Sequence, residues 1–131
     1  MDSSALVAVL RREPEAEACM RALAAYQPAR ISAVNYVEAA IVVGSARDPV
    51  VDRRFDALLE EARIRTEPVT VAQARIARAA YRDFGRGSGH PARLNLGDCF
   101  TYALAKAARE PVLCKGGDFA RTDLELIPLE L

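Results

Sequence analysis

The sequence predicts an α/β domain of three layers, in which helices cover both faces of a mainly parallel central sheet. Short apolar segments with strand propensity alternate along the chain with longer segments of helical periodicity, as expected for parallel strands joined by helices. The 131 residues are enough for one compact domain spanning 1–131, and the 51% apolar content can supply its core. No internal repeat or linker interrupts the pattern.

Two helices are predicted before the first strand. Ser3 or Ser4 can cap a helix that runs to about Arg11, because serine is a preferred N-cap residue. Pro14 suits the first turn of a second helix that ends near Ala25. This part of the chain should therefore pack as a pair of short helices.

Strand and helix predictions alternate through the middle of the chain. Val34, Val37, Ile41 and Gly44 have helical spacing and mark one apolar face. Thr70 is a favoured cap for a helix that continues to about Tyr81. The predicted elements are, in order, a strand at 30–32, a helix at 34–44, a helix at 48–62, a strand at 65–69 and a helix at 70–81.

The last third of the chain begins with a glycine-rich loop at 85–91. Asn95 caps a further helix, which Pro111 ends, and residues 112–114 form a short apolar segment typical of a buried strand. Residues 124–129 are predicted as a final strand, and Pro128 places that strand at the edge of the sheet because proline cannot donate a ladder hydrogen bond.

Composition excludes several classes of protein. Lysine plus arginine and aspartate plus glutamate each number 18, so there is no strongly basic balance overall, although residues 53–93 hold nine basic and five acidic side chains, a net of +4. The glycine-rich loop lacks the lysine and the preceding strand of a phosphate-binding loop. Three cysteines without paired spacing, and the lack of a signal or membrane-spanning segment, predict a cytoplasmic protein with no disulfides.

Four acidic residues from separate segments are the candidate functional residues. Asp2 opens an apolar run, Glu38 interrupts the apolar face of its helix, and Asp98 and Asp118 each follow a glycine. If folding gathers them, their repulsion requires a counter-cation, and hard divalent ions take oxygen ligands. Three of the four also have a local alternative: Asp2 and Asp98 suit helix starts, and Glu38 could pair with an arginine.

Other chemistries have weaker support. His90 is the only histidine, so a histidine general base is not expected, and His90, Cys99 and Cys114 match no zinc spacing. A pair of divalent ions would need no such base, because cations activate water and stabilise the oxygens of a phosphodiester. Asp123 is a fifth acid near Asp118, with either a metal-binding or a capping role.

Four segments together resemble the PIN-domain ribonucleases of the VapC toxin type. They are Asp2-Ser3-Ser4-Ala5-Leu6-Val7-Ala8, Glu38-Ala39, Leu94-Asn95-Leu96-Gly97-Asp98-Cys99-Phe100 and Lys115-Gly116-Gly117-Asp118-Phe119 with Thr122-Asp123. The resemblance extends from residue 2 to about residue 128. It implies an endoribonuclease dependent on Mg²⁺ or Mn²⁺, a toxin inhibited by a cognate antitoxin, and a homodimer.

The same resemblance assigns the site residue by residue. The family's acidic quartet falls on Asp2, Glu38, Asp98 and Asp118, with Asp123 as an auxiliary acid, and its hydroxyl position falls on Ser4. Lys115, Arg86 and Arg93 are additional candidates for contacts with substrate phosphates. Only Met1 precedes Asp2, so the family's first strand would be nearly absent.

Two other functions fit an acidic pocket. A non-catalytic PIN-like binding module could use the pocket to receive an arginine from a basic partner peptide. A phosphoacceptor signalling domain could use Lys115, but it would need adjacent acids after its first strand, where Ser3 and Ser4 stand.

Overall fold

The computed structural model describes residues 1–130 and confirms the α/β class. Six helices, two strands and one 3₁₀ helix follow one another along this part of the chain. They are α1 (Ser3–Leu10), α2 (Ala16–Ala25), β1 (Ala29–Ser32), α3 (Ala33–Gly44), α4 (Pro49–Glu61), β2 (Ile64–Glu67), α5 (Val71–Phe84), α6 (Leu96–Ala108) and the 3₁₀ helix Asp118–Arg121.

Helix starts are fixed by polar caps, most of which the sequence predicts. Asp48, Thr70 and Asn95 cap α4, α5 and α6 as expected. The cap of α1 is Asp2 rather than a serine, since its carboxylate accepts the Ser4 N–H at 3.0 Å. Helix α2 begins at Ala16, two residues after the predicted first-turn position at Pro14.

The sheet is smaller than predicted, and its pairing is parallel. β1 and β2 pair from Ala29 with Ile64 to Ser32 with Glu67. β2 ends at Glu67 instead of continuing to 69, because Pro68 has no N–H to donate. The predicted strands at 112–114 and 124–129 are reduced to one parallel bridge between Val112 and Leu126, and prolines at 111 and 128 remove donors from both segments.

The first two residues link these pieces of sheet, and no strand forms before Asp2. The amino group of Met1 donates to the Arg30 carbonyl of β1 at 2.7 Å. The Asp2 N–H donates to the Leu113 carbonyl at 2.9 Å. Met1 and Asp2 therefore hold the start of α1 between β1 and the segment that leads to Asp118.

The buried face of α3 differs from the predicted one. Val37 and Ile41 are 51% and 67% exposed, whereas Asn35, Ala39 and Val43 are buried. Apolar residues occur almost all round this helix, so their periodicity could not identify the core side. Val37 and Ile41 therefore form an exposed apolar surface on α3, next to Glu38.

Two apolar clusters hold the helices around the sheet. One, around Leu6, Ile31 and Phe55, joins the first four helices to the strands. The other packs α5 against α6 through Ala77 and Ala103, with further residues from the C-terminal segment. In residues 1–130, no helix has both the length and the apolar content needed to cross a bilayer.

Candidate active site

An open cleft of about 350 Å³ lies where α1, α3 and α6 meet the 3₁₀ helix. The four predicted acids all line it, although they come from segments far apart in sequence: Asp2, Glu38, Asp98 and Asp118. Two of the four, Asp2 and Asp98, stand at the starts of α-helices, where backbone N–H groups point towards negative charge. The fold therefore concentrates carboxylates that sequence order keeps apart.

Asp2 is held by a neutral donor on each oxygen. Its side chain is nearly buried, and Thr101 of α6 donates its hydroxyl hydrogen to Oδ1 at 2.6 Å. The Ser4 N–H donates to Oδ2. Asp2 thus caps α1 and lines the cleft at the same time.

Asp98 forms a capping box with Asn95 at the start of α6. The Asn95 N–H donates to Asp98 Oδ2 at 3.0 Å, and Asn95 Oδ1 accepts the Asp98 N–H at 2.8 Å. Burial raises the pKa of Asp98 to about 6, against the opposing effect of the Asn95 hydrogen bond, and the charges of Asp2, Asp118 and Glu38 raise it further. A bound cation would therefore offset the negative charge that surrounds this carboxylate.

Glu38 reaches across from α3 and lies over Gly97 of α6. A Cβ at residue 97 would fall within 2.7 Å of the Glu38 carboxyl carbon, so only glycine leaves this space free. The Ser3 hydroxyl donates to Glu38 Oε1, and no arginine pairs with this carboxylate among residues 1–130. Glu38 is half-buried in the cleft wall rather than inside the core.

Asn35 provides a second link between α3 and α6. This buried side chain donates from Nδ2 to the Gly97 carbonyl at 2.9 Å. The bond fixes the distance between the helix that carries Glu38 and the helix that carries Asp98. Asn35 is consequently a supporting residue that the sequence pattern did not indicate.

Asp118 is the most exposed of the four acids. It begins the 3₁₀ helix directly after Gly116 and Gly117, and Gly116 has a φ of +91°, which favours glycine. The turn brings the Asp118 side chain to the mouth of the cleft.

Asp123 lies outside the cleft lining. Its Oδ1 accepts the Tyr102 hydroxyl hydrogen at 2.7 Å, and its Oδ2 accepts from Lys106 Nζ at 2.5 Å. These partners lower the pKa of Asp123, chiefly through the Lys106 hydrogen bond. The geometry therefore gives no support to the predicted role of Asp123 as a metal ligand.

The other predicted residues divide into two groups. Lys115 and Ser4 line the cleft, and the Ser4 hydroxyl accepts the Lys115 N–H at 3.0 Å instead of holding a carboxylate. Arg86 and Arg93 are exposed and do not line it. They flank the bridge between Gly85 and Leu94 that leads into α6.

The sequence did not indicate two hydroxyl groups that donate to acids of the cleft, nor one further acid that lines it. Thr101 lies three residues after Asp98, on the same side of α6, and that spacing could have indicated it. The sequence predicts Ser3 only as a helix cap, although its hydroxyl donates to Glu38. Glu13 also lines the cleft, and it follows two arginines in a turn that carries no recognisable signal.

Thr101→Val should test the support of Asp2. Valine keeps the shape but removes the donor from a buried carboxylate oxygen, so we expect a loss of about 1–3 kcal/mol in unfolding free energy. Chemical denaturation measures the effect. Thr101→Ser, which retains the hydroxyl, is the matched control, and equal stability of both variants would show that the hydrogen bond contributes nothing.

The carboxylates of the cleft are chemically suited to bind a hard divalent cation. Carboxylate oxygens are the ligands that Mg²⁺ and Mn²⁺ prefer. Burial is the main cause of the raised pKa of Asp98, and the neighbouring carboxylates, whose charge a cation would offset, raise it further. Within the described chain, however, no three acidic, histidine or cysteine side chains converge into a preformed ligand cluster. Among the described residues, His90 belongs to no such cluster; it packs against Phe84 and accepts the Ala92 N–H.

Comparison with known proteins identifies the family. The PIN domain model matches residues 1–125. Ribonuclease VapC28 of Mycobacterium tuberculosis is 56% identical over 125 residues, covering 95% of this chain and 94% of the relative. Ribonuclease VapC30 of the same species is 42% identical over 129 residues, with 98% of each chain covered.

Structural comparison gives the same fold. A chain of a toxin-antitoxin complex from Klebsiella pneumoniae superposes with a TM-score of 0.72 at 21% identity, covering 99% of this chain and 97% of the other. The family match and the shared fold therefore agree. The chain belongs to the PIN-domain family and, within it, to the VapC-type proteins.

Proposed function

We propose that this protein is a metal-dependent endoribonuclease that hydrolyses RNA phosphodiesters and acts as the toxin of a type II toxin-antitoxin pair. The observation that carries the proposal is the meeting of Asp2, Glu38, Asp98 and Asp118 at one cleft, with the pKa of Asp98 raised to about 6. Relatives named ribonucleases, at up to 56% identity over nearly the whole chain, support the reaction class.

The four acids of the cleft would hold Mg²⁺ or Mn²⁺. When bound, such an ion supplies positive charge for the phosphate oxygens and activates water for hydrolysis. The surrounding residues orient the acids: Thr101 and the Ser4 N–H hold Asp2, the Asn95 N–H holds Asp98, and Ser3 holds Glu38. These donors fix carboxylate direction before an ion arrives, which reduces the ordering required on binding.

Basic residues near the cleft would bind RNA phosphates. Lys115 lines the cleft itself, and Arg86 and Arg93 are exposed beside the segment that leads into α6. Lys115 is therefore the candidate for a phosphate at the cleft itself, and the two arginines are candidates for phosphates farther along the RNA. RNA binding through such contacts weakens as salt rises, because phosphate contacts release counterions.

Protein partners of this chain are an antitoxin and, we infer, a second copy in a homodimer. An apolar groove lined by Val37, Ile41 and Leu96 adjoins the acidic cleft and shares Glu38 with it. Leu96 is 68% exposed. Adjoining apolar and acidic surfaces suit a partner segment that combines apolar and basic side chains.

A non-catalytic binding module is the second candidate. The observation that favours it is the lack of a preformed ligand cluster among the described residues. In that case the acidic cleft would bind a basic peptide and would not take up a divalent ion at millimolar concentration.

Metal removal and pH test the nuclease proposal together. The purified protein should cleave single-stranded or loop RNA with Mg²⁺ or Mn²⁺, and EDTA should stop the reaction. Protons compete with the ion for Asp98, so cleavage should decline as the pH falls through about 6. Gel analysis of a labelled RNA measures the rates.

Isothermal titration calorimetry distinguishes the two candidates. Uptake of Mn²⁺ together with EDTA-sensitive cleavage supports the nuclease. Cleavage that persists unchanged in EDTA, or tight binding of an arginine-rich peptide without any uptake of Mn²⁺, would contradict it.

A further inference from the structure

Lys115 is the one basic side chain among the cleft-lining residues of the described chain. The cleft is lined by five carboxylates, the proposed metal-holding four and Glu13. Glu13 belongs to the turn between α1 and α2 and is not one of the family's acidic positions. Its place in the cleft therefore needs a separate explanation.

The Lys115 ammonium is held by two carboxylates from that turn. Nζ lies 2.7 Å from Glu13 Oε1 and 3.7 Å from Glu15 Oε2. The hydrogen bond from Lys115 to Glu13 raises the pKa of Lys115. Glu15 Oε2 is shielded from solvent and accepts no hydrogen bond in the part of the chain that the structure describes.

This cluster of Glu13, Glu15 and Lys115 has a net charge of −1, from two carboxylates and one ammonium. Lys115 thus offers the cleft no net positive charge while Glu13 occupies it. A phosphate that approaches Nζ must either displace the Glu13 carboxylate or lie beside it, and like charges at close range repel. The proposed phosphate contact of Lys115 is therefore disfavoured while Glu13 holds the ammonium.

The ion pair between Lys115 and Glu13 can nevertheless open. The side chains of Lys115 and Glu13 are 36% and 28% exposed, and ion pairs in contact with solvent are weak and sensitive to salt. The Lys115 backbone stays anchored independently, because its N–H donates to the Ser4 hydroxyl. The ammonium can therefore exchange partners without releasing the segment that leads to Asp118.

We propose that Glu13 competes with an RNA phosphate for Lys115 and so sets the substrate affinity of the cleft. This inference rests on the proposed nuclease function. Glu13 is an affinity-determining residue in this scheme, and it takes no part in bond cleavage. Glu15 is the second partner that keeps the ammonium within the cleft wall during the exchange.

Glu13→Gln should lower KM for RNA roughly two- to fivefold and leave kcat unchanged, which is the range expected for one exposed ion pair. Freed Lys115 adds a phosphate contact, so the slope of log affinity against log salt should steepen by about 0.7 for single-stranded RNA. Glu17→Gln on α2, exposed and outside the cleft lining, makes the same charge change as a control.

A double-mutant cycle tests whether Glu13 acts through Lys115. Lys115→Met should raise KM, and Glu13→Gln added to Lys115→Met should have no further effect. An effect of Glu13→Gln that survives in Lys115→Met would contradict the competition. A fall in kcat with KM unchanged in both single variants would also overturn it, since that result means that the pair only positions the Asp118 segment.

The nuclease proposal and this inference fail in different ways. Absence of metal-dependent cleavage in the parent protein contradicts the nuclease itself. Normal cleavage by the parent, combined with a KM in Glu13→Gln equal to that in Glu17→Gln, contradicts only the role of Glu13.

Discussion

Asp98→Asn is expected to reduce metal-dependent RNA cleavage by about 100-fold or more while leaving the fold intact. Loss of groups that merely orient metal ligands costs roughly 10–100-fold, and a ligand itself should cost at least as much. Asparagine retains an oxygen that can accept the Asn95 N–H, so the capping box at the start of α6 survives. Cleavage rates and circular dichroism spectra of the two proteins make the comparison.

The same variant should be more stable than the parent when metal is removed. The folded-state pKa of Asp98, about 6, exceeds its ordinary value of 3.8, so the parent loses stability as the pH rises through this interval. The difference corresponds to up to about 3 kcal/mol at neutral pH. Thermal melts in EDTA at pH 4 and pH 7 should show the gain of Asp98→Asn at pH 7 only.

Asp83→Asn is the matched control for both measurements. Asp83 is exposed on α5, next to Arg82 and outside the cleft lining. If Asp98→Asn cleaves RNA as fast as Asp83→Asn, the assignment of Asp98 to the metal site is wrong.

Gly97→Ala should lower cleavage by about tenfold or more without lowering thermal stability. The new methyl group would collide with the carboxylate of Glu38, the flexible end of that side chain, so Glu38 would move and the helices would not. Alanine also favours the helix by up to about 1 kcal/mol over glycine. An inactive protein with an equal or higher melting temperature is the expected combination.

Gly44→Ala provides the comparison on α3. Its methyl group would meet only Asp52 Oδ1 at 3.7 Å, which is an ordinary contact. Full activity in both glycine variants would mean that the observed position of Glu38 has no role in the reaction.

The helices could be predicted because local signals specify their starts. Asn95 and Thr70 begin α6 and α5 as expected, since a cap and a periodic segment need no information from distant residues. The strands were predicted less well. A bridge such as that between Val112 and Leu126 depends on which segments meet, and the sequence alone does not indicate how far pairing extends.

The roles of individual side chains were the hardest to predict. Asp123 lies only five residues after Asp118, but Tyr102 and Lys106 of α6 hold it away from the cleft. Glu13 has no motif, and its role depends on Lys115, which is 102 residues away in sequence. Contacts of this kind arise only when separate segments pack together, so no local pattern could indicate them.

The capping role of Asp2 and Asp98 has a thermodynamic consequence. Both carboxylates complete the first turn of a helix, so the proposed ion site would exist only when α1 and α6 are folded at their starts. An unfolded chain offers no such site, and binding of an ion therefore raises the free energy of unfolding as ion concentration rises. In the proposed nuclease, divalent metal would therefore stabilise the folded protein as well as support cleavage.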